Sequence, residues 1–361
     1  MKLAPFALER YFAPREFVAR AQLSCSDCEA LTLDDVVAHA EAELRDAWSA
    51  LRLGYSESRG HPLLRAEVAA MHPGTSVEHT ITCAPAEGIL LAMLSTLAAG
   101  DRVVACAPAY QSLHEIARGM GCVVDEWPWP FDLTRLTALV RARKTKLVVV
   151  NFPHNPTGHV PSVDEWHAVV AAARDAGAHL FSDEMYRFLD LTAAPPLASA
   201  VELYDKAIVL GGLSKAFSAP GLRSGWLVSR DLDVIQRCAE HKDYTTICGN
   251  GPGELLSIMV LRQRARILAR NIATIRANVA ALERLVPGAK GPRAGCVAFV
   301  ELDDGVTALA DELFRETKML LLPSSVFGAG DRHARFGLGR AAFATTLEEF
   351  ATWRAVARGS G

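Results

Sequence analysis

Residues 206–228 read KAIVLGGLSKAFSAPGLRSGWLV. The two apolar runs at 206–210 and 224–228 are typical of buried strands, and Lys215 and Arg223 lie between them. Burial lowers the pKa of an ammonium group, so a lysine just after a buried strand is a plausible Schiff-base nucleophile. A guanidinium nearby suits a phosphate. Taken alone, the pair is better explained as a surface lysine with an arginine in a turn.

Further apolar, β-branched runs continue the same pattern along the chain. They lie at 79–84, 102–106, 122–127, 146–151 and 179–182. Segments of helical composition separate most of them. Seven strands in such an alternation predict an α/β fold, with a largely parallel sheet buried between helices on both faces.

The pattern changes after about residue 240. Residues 253–285 form one long amphipathic stretch with basic residues on one side, which predicts an interdomain helix with room for a single break. A strand, a helix, two short strands and a last helix are then predicted at 296–302, 305–316, 319–323, 334–338 and from 346. We therefore expect a large domain at 46–240 and a smaller α+β domain made of 1–45 and 241–361.

Composition narrows the functional classes. The 361 residues are 50% apolar and 22% charged, with a net charge of −3 and a pI of about 6.4, so nothing attracts the chain generally to nucleic acid or anionic lipid. The longest apolar run, 88–100, is shorter than the ~20 residues of a membrane helix. The N terminus carries Glu9 and Glu16 and lacks a secretory h-region. We expect a cytoplasmic protein without nucleic-acid or membrane partners.

The eight cysteines are scattered along the chain, and several lie inside apolar runs. Cys25 and Cys28 form a C-x-x-C pair, but no second pair follows at metal-ligand spacing. We therefore predict neither a disulfide framework nor a metal site.

Polar motifs follow two of the predicted strands. NFPHNPTG begins at the end of one strand, at 151–158, and SDEMY ends the next, at 182–186. In open α/β sheets, ligand-binding groups gather at the carboxyl ends of the strands. The sequence contains no G-x-x-x-x-G-K-[ST], H-E-x-x-H or G-x-S-x-G motif, so nucleotide hydrolysis, zinc proteolysis and esterase chemistry lose their usual support. With these strand ends, Lys215 and Arg223 become candidates for one shared site.

Five motifs together resemble the class I/II aminotransferases, which are pyridoxal-phosphate enzymes of fold type I. They are PAY at 108–110, PHNPTG at 153–158, SDEMY at 182–186, SKAFSAPGLRSGW at 214–226 and RFGLGR at 335–340. They occur in the family's order over most of the chain. The resemblance implies the fold type I architecture, pyridoxal 5'-phosphate as cofactor, and transfer of an amino group from an L-amino acid to a 2-oxo acid.

The resemblance also implies roles for individual residues. Lys215 would hold the cofactor as a Schiff base and then act as general acid and base. Asp183 would pair with the pyridine nitrogen and keep it protonated, so that the ring can accept electrons. The remaining roles are hydrogen bonds to the ring's phenolic oxygen from Asn155 and Tyr186, ring stacking by Tyr110, phosphate binding by Ser214 and Arg223, and binding of the substrate carboxylate by Arg335 with Asn155.

Tyr55 resembles the family tyrosine that reaches the phosphate from the partner subunit, which implies a homodimer with shared active sites. Two positions depart from the family pattern. Pro85 has no N–H where the family commonly has a glycine-rich phosphate loop, so the amides of Ala86 and Glu87 must serve the phosphate. Gly212 stands where many members have a hydroxyl residue.

Two other readings stay open. YSESRGHPLLR at 55–65 and KDYTTIC at 242–248 resemble a branch with capreomycidine-synthase-type cyclases, which implies elimination and ring closure on a hydroxylated, arginine-like amino acid. Carboxylates that could face a cationic side chain are Asp27, Glu29, Glu57 and Asp243. His154 is a further candidate for substrate contact, and Lys242 and Tyr244 fit either a pocket role or a hinge role. A DNA-binding regulator is disfavoured because DDVVAHAEAELRD at 34–46 is acidic.

Overall fold

A computed structural model describes residues 1–142, 144–302 and 305–359. The strands are β1 Ala21–Gln22, β2 Thr80–Cys83, β3 Arg102–Ala107, β4 Val123–Pro128, β5 Thr145–Asn151, β6 His179–Asp183, β7 Ala207–Gly212, β8 Gly225–Val228, β9 Val297–Glu301, β10 Met319–Leu320, β11 Leu322–Pro323 and β12 His333–Gly337. The α-helices are α1 Ala7–Phe12, α2 Leu33–Ala38, α3 Ala42–Ser49, α4 Pro62–Ala69, α5 Pro85–Thr96, α6 Ser112–Gly119, α7 Leu133–Ala142, α8 Val163–Asp175, α9 Ala200–Leu203, α10 Leu232–Lys242, α11 Gly251–Arg262, α12 Arg264–Leu285, α13 Val306–Thr317 and α14 Phe343–Gly359.

The predicted large sheet is confirmed. Its seven strands have the order β2-β8-β7-β6-β5-β3-β4, and only β8 runs antiparallel to its neighbours. β5 lies inside this sheet, and its apolar residues Leu147 and Val148–Val150 are at most 1% exposed. A continuous apolar run of this kind is typical of a strand covered on both faces.

The sheet brings the polar motifs to one edge. β5, β6 and β7 are parallel neighbours, so their carboxyl ends lie side by side. β5 ends at Asn151, β6 ends at Asp183, and Ser214 and Lys215 follow β7. The site residues therefore meet because three neighbouring strands end at the same edge.

The long predicted helix is broken once, at Gln263, between α11 and α12. The side-chain amide of Gln263 donates to the Val36 carbonyl at 2.8 Å, which ties the break to α2. At the start of α11, the Asn250 side chain caps the helix by accepting from the Gly253 amide at 3.2 Å.

Two smaller sheets lie outside the large one. β9, β11 and β12 form an antiparallel sheet, and β1 pairs in parallel with β10. The single strand predicted at 319–323 is thus two short strands in different sheets, and α14 begins at Phe343, earlier than predicted. The division into domains at 46–240 stays a prediction. Among the described residues, none of the helices combines the length and apolar character that crossing a bilayer requires.

Candidate active site

A cavity of about 350 Å³ lies at the strand ends. Nine of the eleven residues to which the family resemblance gives a role line it: Ala86, Tyr110, Asn155, Asp183, Tyr186, Ser214, Lys215, Arg223 and Arg335. They come from α5, from β6 and β12, and from loops after β3, β5, β6 and β7. Residues far apart in the sequence therefore form one chemical site.

Lys215 places its amine in this cavity. Its Nζ donates a hydrogen bond to the Ser26 hydroxyl at 2.9 Å. Burial lowers the pKa of Lys215, while the charge of Asp27 acts in the opposite direction. A lowered pKa increases the fraction of neutral amine, which is the form that attacks a carbonyl carbon.

Asp183 is the acidic group at the end of β6. Burial raises its pKa to about 7, and the charge of Lys215 counteracts part of this effect. Its Oδ1 accepts from the Met185 amide at 3.1 Å. The Asn151 side chain holds the same segment by donating to the Asp183 carbonyl at 2.9 Å. A protonated ring nitrogen beside Asp183 would favour the carboxylate and form a strong, charge-assisted hydrogen bond.

Arg335 is a buried cation, only 1% exposed. Its guanidinium donates to Asn155 Oδ1 at 2.9 Å and to the Ser24 carbonyl at 2.7 Å, while its Nε is buried without a hydrogen-bond partner. Within the described ranges, no carboxylate forms an ion pair with it. A buried charge without a counterion is costly, so the site suits an anionic ligand group such as a carboxylate.

The phosphate end has matching features. The hydroxyl of Ser214 is buried and has no partner among the described residues. α5 begins at Pro85, so the amide of Ala86 lies in the first helical turn, where amides point away from the helix and attract anions. Arg223 lines the same cavity. An unpartnered hydroxyl, first-turn amides and a guanidinium together fit a phosphate, and with Lys215 and Asp183 they fit pyridoxal phosphate.

Glu87 lies outside the cavity. Its carboxylate accepts from the Ala84 amide at 3.1 Å and from the Thr246 hydroxyl at 2.8 Å, and it also accepts from the Thr245 hydroxyl. These contacts cap α5 and connect it to the loop after α10. The carboxylate of Glu87 is occupied by these contacts, so this residue can offer an anion only its backbone amide.

Two tyrosines line the cavity in different settings. The Tyr186 hydroxyl donates to the Ser26 carbonyl at 2.9 Å, and burial raises its pKa well above the ordinary value. The family resemblance predicts a hydrogen bond from this hydroxyl to the ring oxygen of the cofactor, whereas here its single proton is donated to a backbone carbonyl. The ring of Tyr110 packs against Phe6, with 5.0 Å between centroids.

The acidic candidates separate into two groups. Asp27 lines the cavity, where both of its carboxylate oxygens accept from Arg340 Nη2 at 2.9 Å. Glu29 pairs with Arg340 without lining the cavity. Glu57, which pairs with Arg65, and Asp243 lie outside it. Only Asp27 of the four thus reaches the cavity that contains Lys215.

The remaining candidates also lie outside the cavity. His154 is fully buried, and its Nδ1 lies 2.7 Å from the Thr157 hydroxyl. Lys242 is buried and donates to the Ser58 carbonyl at 2.6 Å. Tyr55 and Tyr244 are 93% and 92% exposed. Neither tyrosine lines the cavity of its own chain.

In the N-terminal arm, residues 7–29, the sequence indicated Asp27 and Glu29 as candidates but gave no site role to the residues that precede them. Glu9, Glu16 and Ser26 from this arm line the cavity. The pairing of β1 with β10 places the arm there. No motif marks these residues, because a contact between positions so distant in sequence leaves no local pattern.

The chain matches the family model described as aminotransferase class I and II over residues 22–351, and it belongs to this family. Capreomycidine synthase of Streptomyces vinaceus is 30% identical over 342 residues, which cover 90% of this chain and 87% of that protein. The crystal structure of a PLP-dependent aminotransferase from Streptococcus suis matches with a TM-score of 0.90 and 27% identity, covering 98% of both chains. The PLP-dependent cyclase OrfR matches with a TM-score of 0.87 and 26% identity, also covering 98% of both chains.

The family assignment confirms several predictions made from the motifs. The chain has the fold type I architecture, pyridoxal phosphate is its cofactor, and its enzyme class is the PLP-dependent transaminases.

Proposed function

We propose that the chain transfers the amino group of an L-amino acid to a 2-oxo acid, and that Lys215 binds the cofactor covalently. The observation that carries this proposal is that the amine of Lys215 and the unpaired cation of Arg335 line one cavity with Asp183. An amine, an anion site and a buried carboxylate are the three groups that amino-acid chemistry on pyridoxal phosphate requires.

Arg335 and Lys215 handle the substrate. Arg335 binds the α-carboxylate, with the Asn155 side chain fixing the guanidinium. A fixed carboxylate limits rotation of the substrate and orients its Cα–H bond. Lys215 Nζ, whose pKa is lowered by burial, then accepts the Cα proton and returns it as an acid. Pyridoxal phosphate, when bound, supplies a carbonyl that condenses with amines and a ring that accepts electrons from Cα.

Other residues would hold the cofactor. Asp183 pairs with the ring nitrogen, Asn155 and Tyr186 serve the phenolic oxygen, and Tyr110 covers the ring face. For Tyr186 this role requires its hydroxyl to leave the Ser26 carbonyl. The phosphate lies against Ser214, Arg223 and the amides of Ala86 and Glu87.

We further infer that the enzyme is a homodimer in the cytoplasm. Tyr55 lies almost fully exposed on its own chain, as do Leu53 and Tyr244. Exposed aromatic and aliphatic side chains of this size favour a protein interface. From there Tyr55 would reach the phosphate of the partner subunit. The cytoplasm is supported by free cysteines such as Cys83 and Cys106 that pack in the core.

A cyclase or lyase that eliminates a substituent and closes a ring is the second candidate. The resemblance to capreomycidine synthase and to OrfR favours it. It would use the same cavity and the same lysine. The two reactions differ in the fate of the cofactor, because amino transfer leaves it as an amine and elimination does not.

The test is the absorbance of the cofactor-loaded protein during addition of single L-amino acids. A transaminase converts the cofactor stably to its amine form, and a 2-oxo acid reverses the change. A cyclase returns the original spectrum without an acceptor. Failure of every amino acid to change the spectrum contradicts both candidates.

Lys215→Ala tests the central residue. We expect loss of the absorbance band of the lysine-bound cofactor and a fall in turnover of at least ~1000-fold, since the nucleophile and the acid/base are both removed. Lys206→Ala is the matched control, because Lys206 lies exposed just before β7. Retained turnover in Lys215→Ala contradicts the assignment.

A further inference from the structure

We propose that Glu9 and Glu16, with Asp27 beside them, form a subsite for the positively charged end of the substrate side chain, an amine or a guanidinium. This inference rests on the proposed function and specifies the substrate class of the same cavity. It also assigns a role to the N-terminal arm.

The arm is fixed against the body of the protein at several points. The Tyr11 hydroxyl donates to the Leu321 carbonyl at 2.7 Å, and the Ala7 amide donates to Gln111 Oε1 at 2.8 Å. Within the arm, the Gln22 side chain donates to the Glu16 carbonyl at 3.0 Å. Glu9 in α1 and Glu16 after it consequently line the cavity that contains Lys215.

Two of these three carboxylates, those of Glu9 and Glu16, have no direct partner in the described part of the chain. Asp27 is neutralised by its two contacts with Arg340. In residues 1–142, 144–302 and 305–359, no ion pair or side-chain hydrogen bond involves the carboxylate of Glu9 or Glu16. Burial raises the pKa of Glu16, the charges of Glu9 and Asp27 add to this effect, and the charges of Lys215 and Arg340 counteract part of it. A cation placed between Glu9 and Glu16 would relieve this repulsion and gain two charge-assisted hydrogen bonds.

Arg335 supplies an independent reason to expect a charged ligand in this cavity. It is 1% exposed, its Nε is buried without a partner in the described part of the chain, and it lines the same cavity. Arg335 therefore favours an anionic group beside it in the cavity. Glu9 and Glu16 favour a cationic group at another part of the cavity wall. An amino acid with a basic side chain carries both charges.

The charged residues that line the cavity disfavour a substrate with an acidic side chain. Arg340, the other guanidinium near Asp27, is occupied by Asp27 and Glu29. Arg223 lies beside the first turn of α5, where the phosphate is expected. Because Lys215 and Arg223 are assigned to the cofactor and Arg335 to the α-carboxylate, no unpaired cation is left among the described lining residues for a second substrate carboxylate.

The experiment compares L-arginine with L-citrulline, which has nearly the same shape but no charge. The cofactor-loaded wild-type protein should convert arginine with a kcat/KM ~10-fold or more above that for citrulline. The reason is that hydrogen bonds from a charged guanidinium to carboxylates are stronger than those from a neutral group. L-Lysine and L-norleucine form a second pair of this kind. In the Glu9→Gln/Glu16→Gln double variant, the ratio within each pair should fall to about one.

Glu43→Gln is the matched control, since Glu43 is exposed on α3 and lies outside the cavity. It should keep the wild-type ratio. Cofactor absorbance of the double variant should remain that of the wild type, which shows that the substitutions leave the fold and the cofactor site intact.

The outcomes separate the subsite from the proposed function. If neutral or acidic amino acids are converted best, or if the double variant keeps its preference for arginine, the subsite is wrong and amino transfer stands. If no amino acid changes the cofactor, the proposed function fails. Calorimetric binding of desamino-arginine against hexanoate then tests the subsite without turnover, and equal affinities overturn it.

Discussion

At Ser214 the structure predicts two opposite effects of one substitution. Its buried hydroxyl has no partner in the described part of the chain, so Ser214→Ala removes an unsatisfied group from the free protein and a hydrogen bond from the bound cofactor. We expect the free energy of unfolding of the apoprotein to stay equal or rise by up to ~1 kcal/mol, and the cofactor Kd to rise about tenfold. Thermal unfolding and a cofactor titration measure the two quantities.

Ser229→Ala is the control for Ser214. The Ser229 hydroxyl is also buried, but it donates to the Ala207 carbonyl at 2.7 Å and lies outside the cavity. This variant should lose stability and keep the cofactor Kd. Loss of apoprotein stability in Ser214→Ala without a change in Kd shows that the hydroxyl has a structural partner instead.

Single residues differ in how far the sequence reveals them. Lys215 and Asp183 stand at the ends of strands within recognisable motifs, so a local pattern predicts their meeting. Glu9 and Glu16 carry no such pattern. In the sequence they only argue against a secretory signal, and their place in the cavity depends on distant pairing.

At the level of elements, the first turn of α5 is the place to test phosphate binding. Ala86→Pro removes the amide of Ala86, and proline is tolerated in the first turn of a helix. We expect the cofactor Kd to rise about tenfold while the apoprotein keeps its melting temperature within a few degrees. The same titration and thermal unfolding measure both effects.

Asp164→Pro is the matched control, because Asp164 occupies the corresponding exposed position in the first turn of α8. It reports the cost of proline alone, and its cofactor Kd should equal that of the wild type. An unchanged Kd in Ala86→Pro means that the phosphate is held without this amide.

The helices and strands could be predicted from the sequence where they depend on a local pattern of apolar residues. The seven strands of the large sheet follow from apolar runs, and the break at Gln263 falls within the long amphipathic stretch. The antiparallel direction of β8 and the separation of β10 from β11 did not follow, because direction and pairing depend on which distant strand lies alongside.

The architecture of the whole molecule explains why the sequence did not mark Glu9 and Glu16 as residues of the substrate site. β1 pairs with β10, which joins the start of the chain to residues near its other end, and the N-terminal arm is thereby laid over the strand ends of the large sheet. The chemistry thus depends on motifs in the middle of the chain. The substrate-facing carboxylates come from an arm whose location is a property of the complete fold.

The proposed homodimer gives the last prediction, since Tyr55 is 93% exposed on its own chain and would act in the partner's site. Lys215→Ala and Tyr55→Ala homodimers should each be impaired, the second by weakened cofactor binding. In a heterodimer of the two variants, one site combines an intact Lys215 with the intact Tyr55 of the other subunit. Random mixing in equal amounts should therefore restore about a quarter of wild-type activity at limiting cofactor. If Tyr55 acted within its own chain, both heterodimer sites would be damaged and mixing would restore nothing.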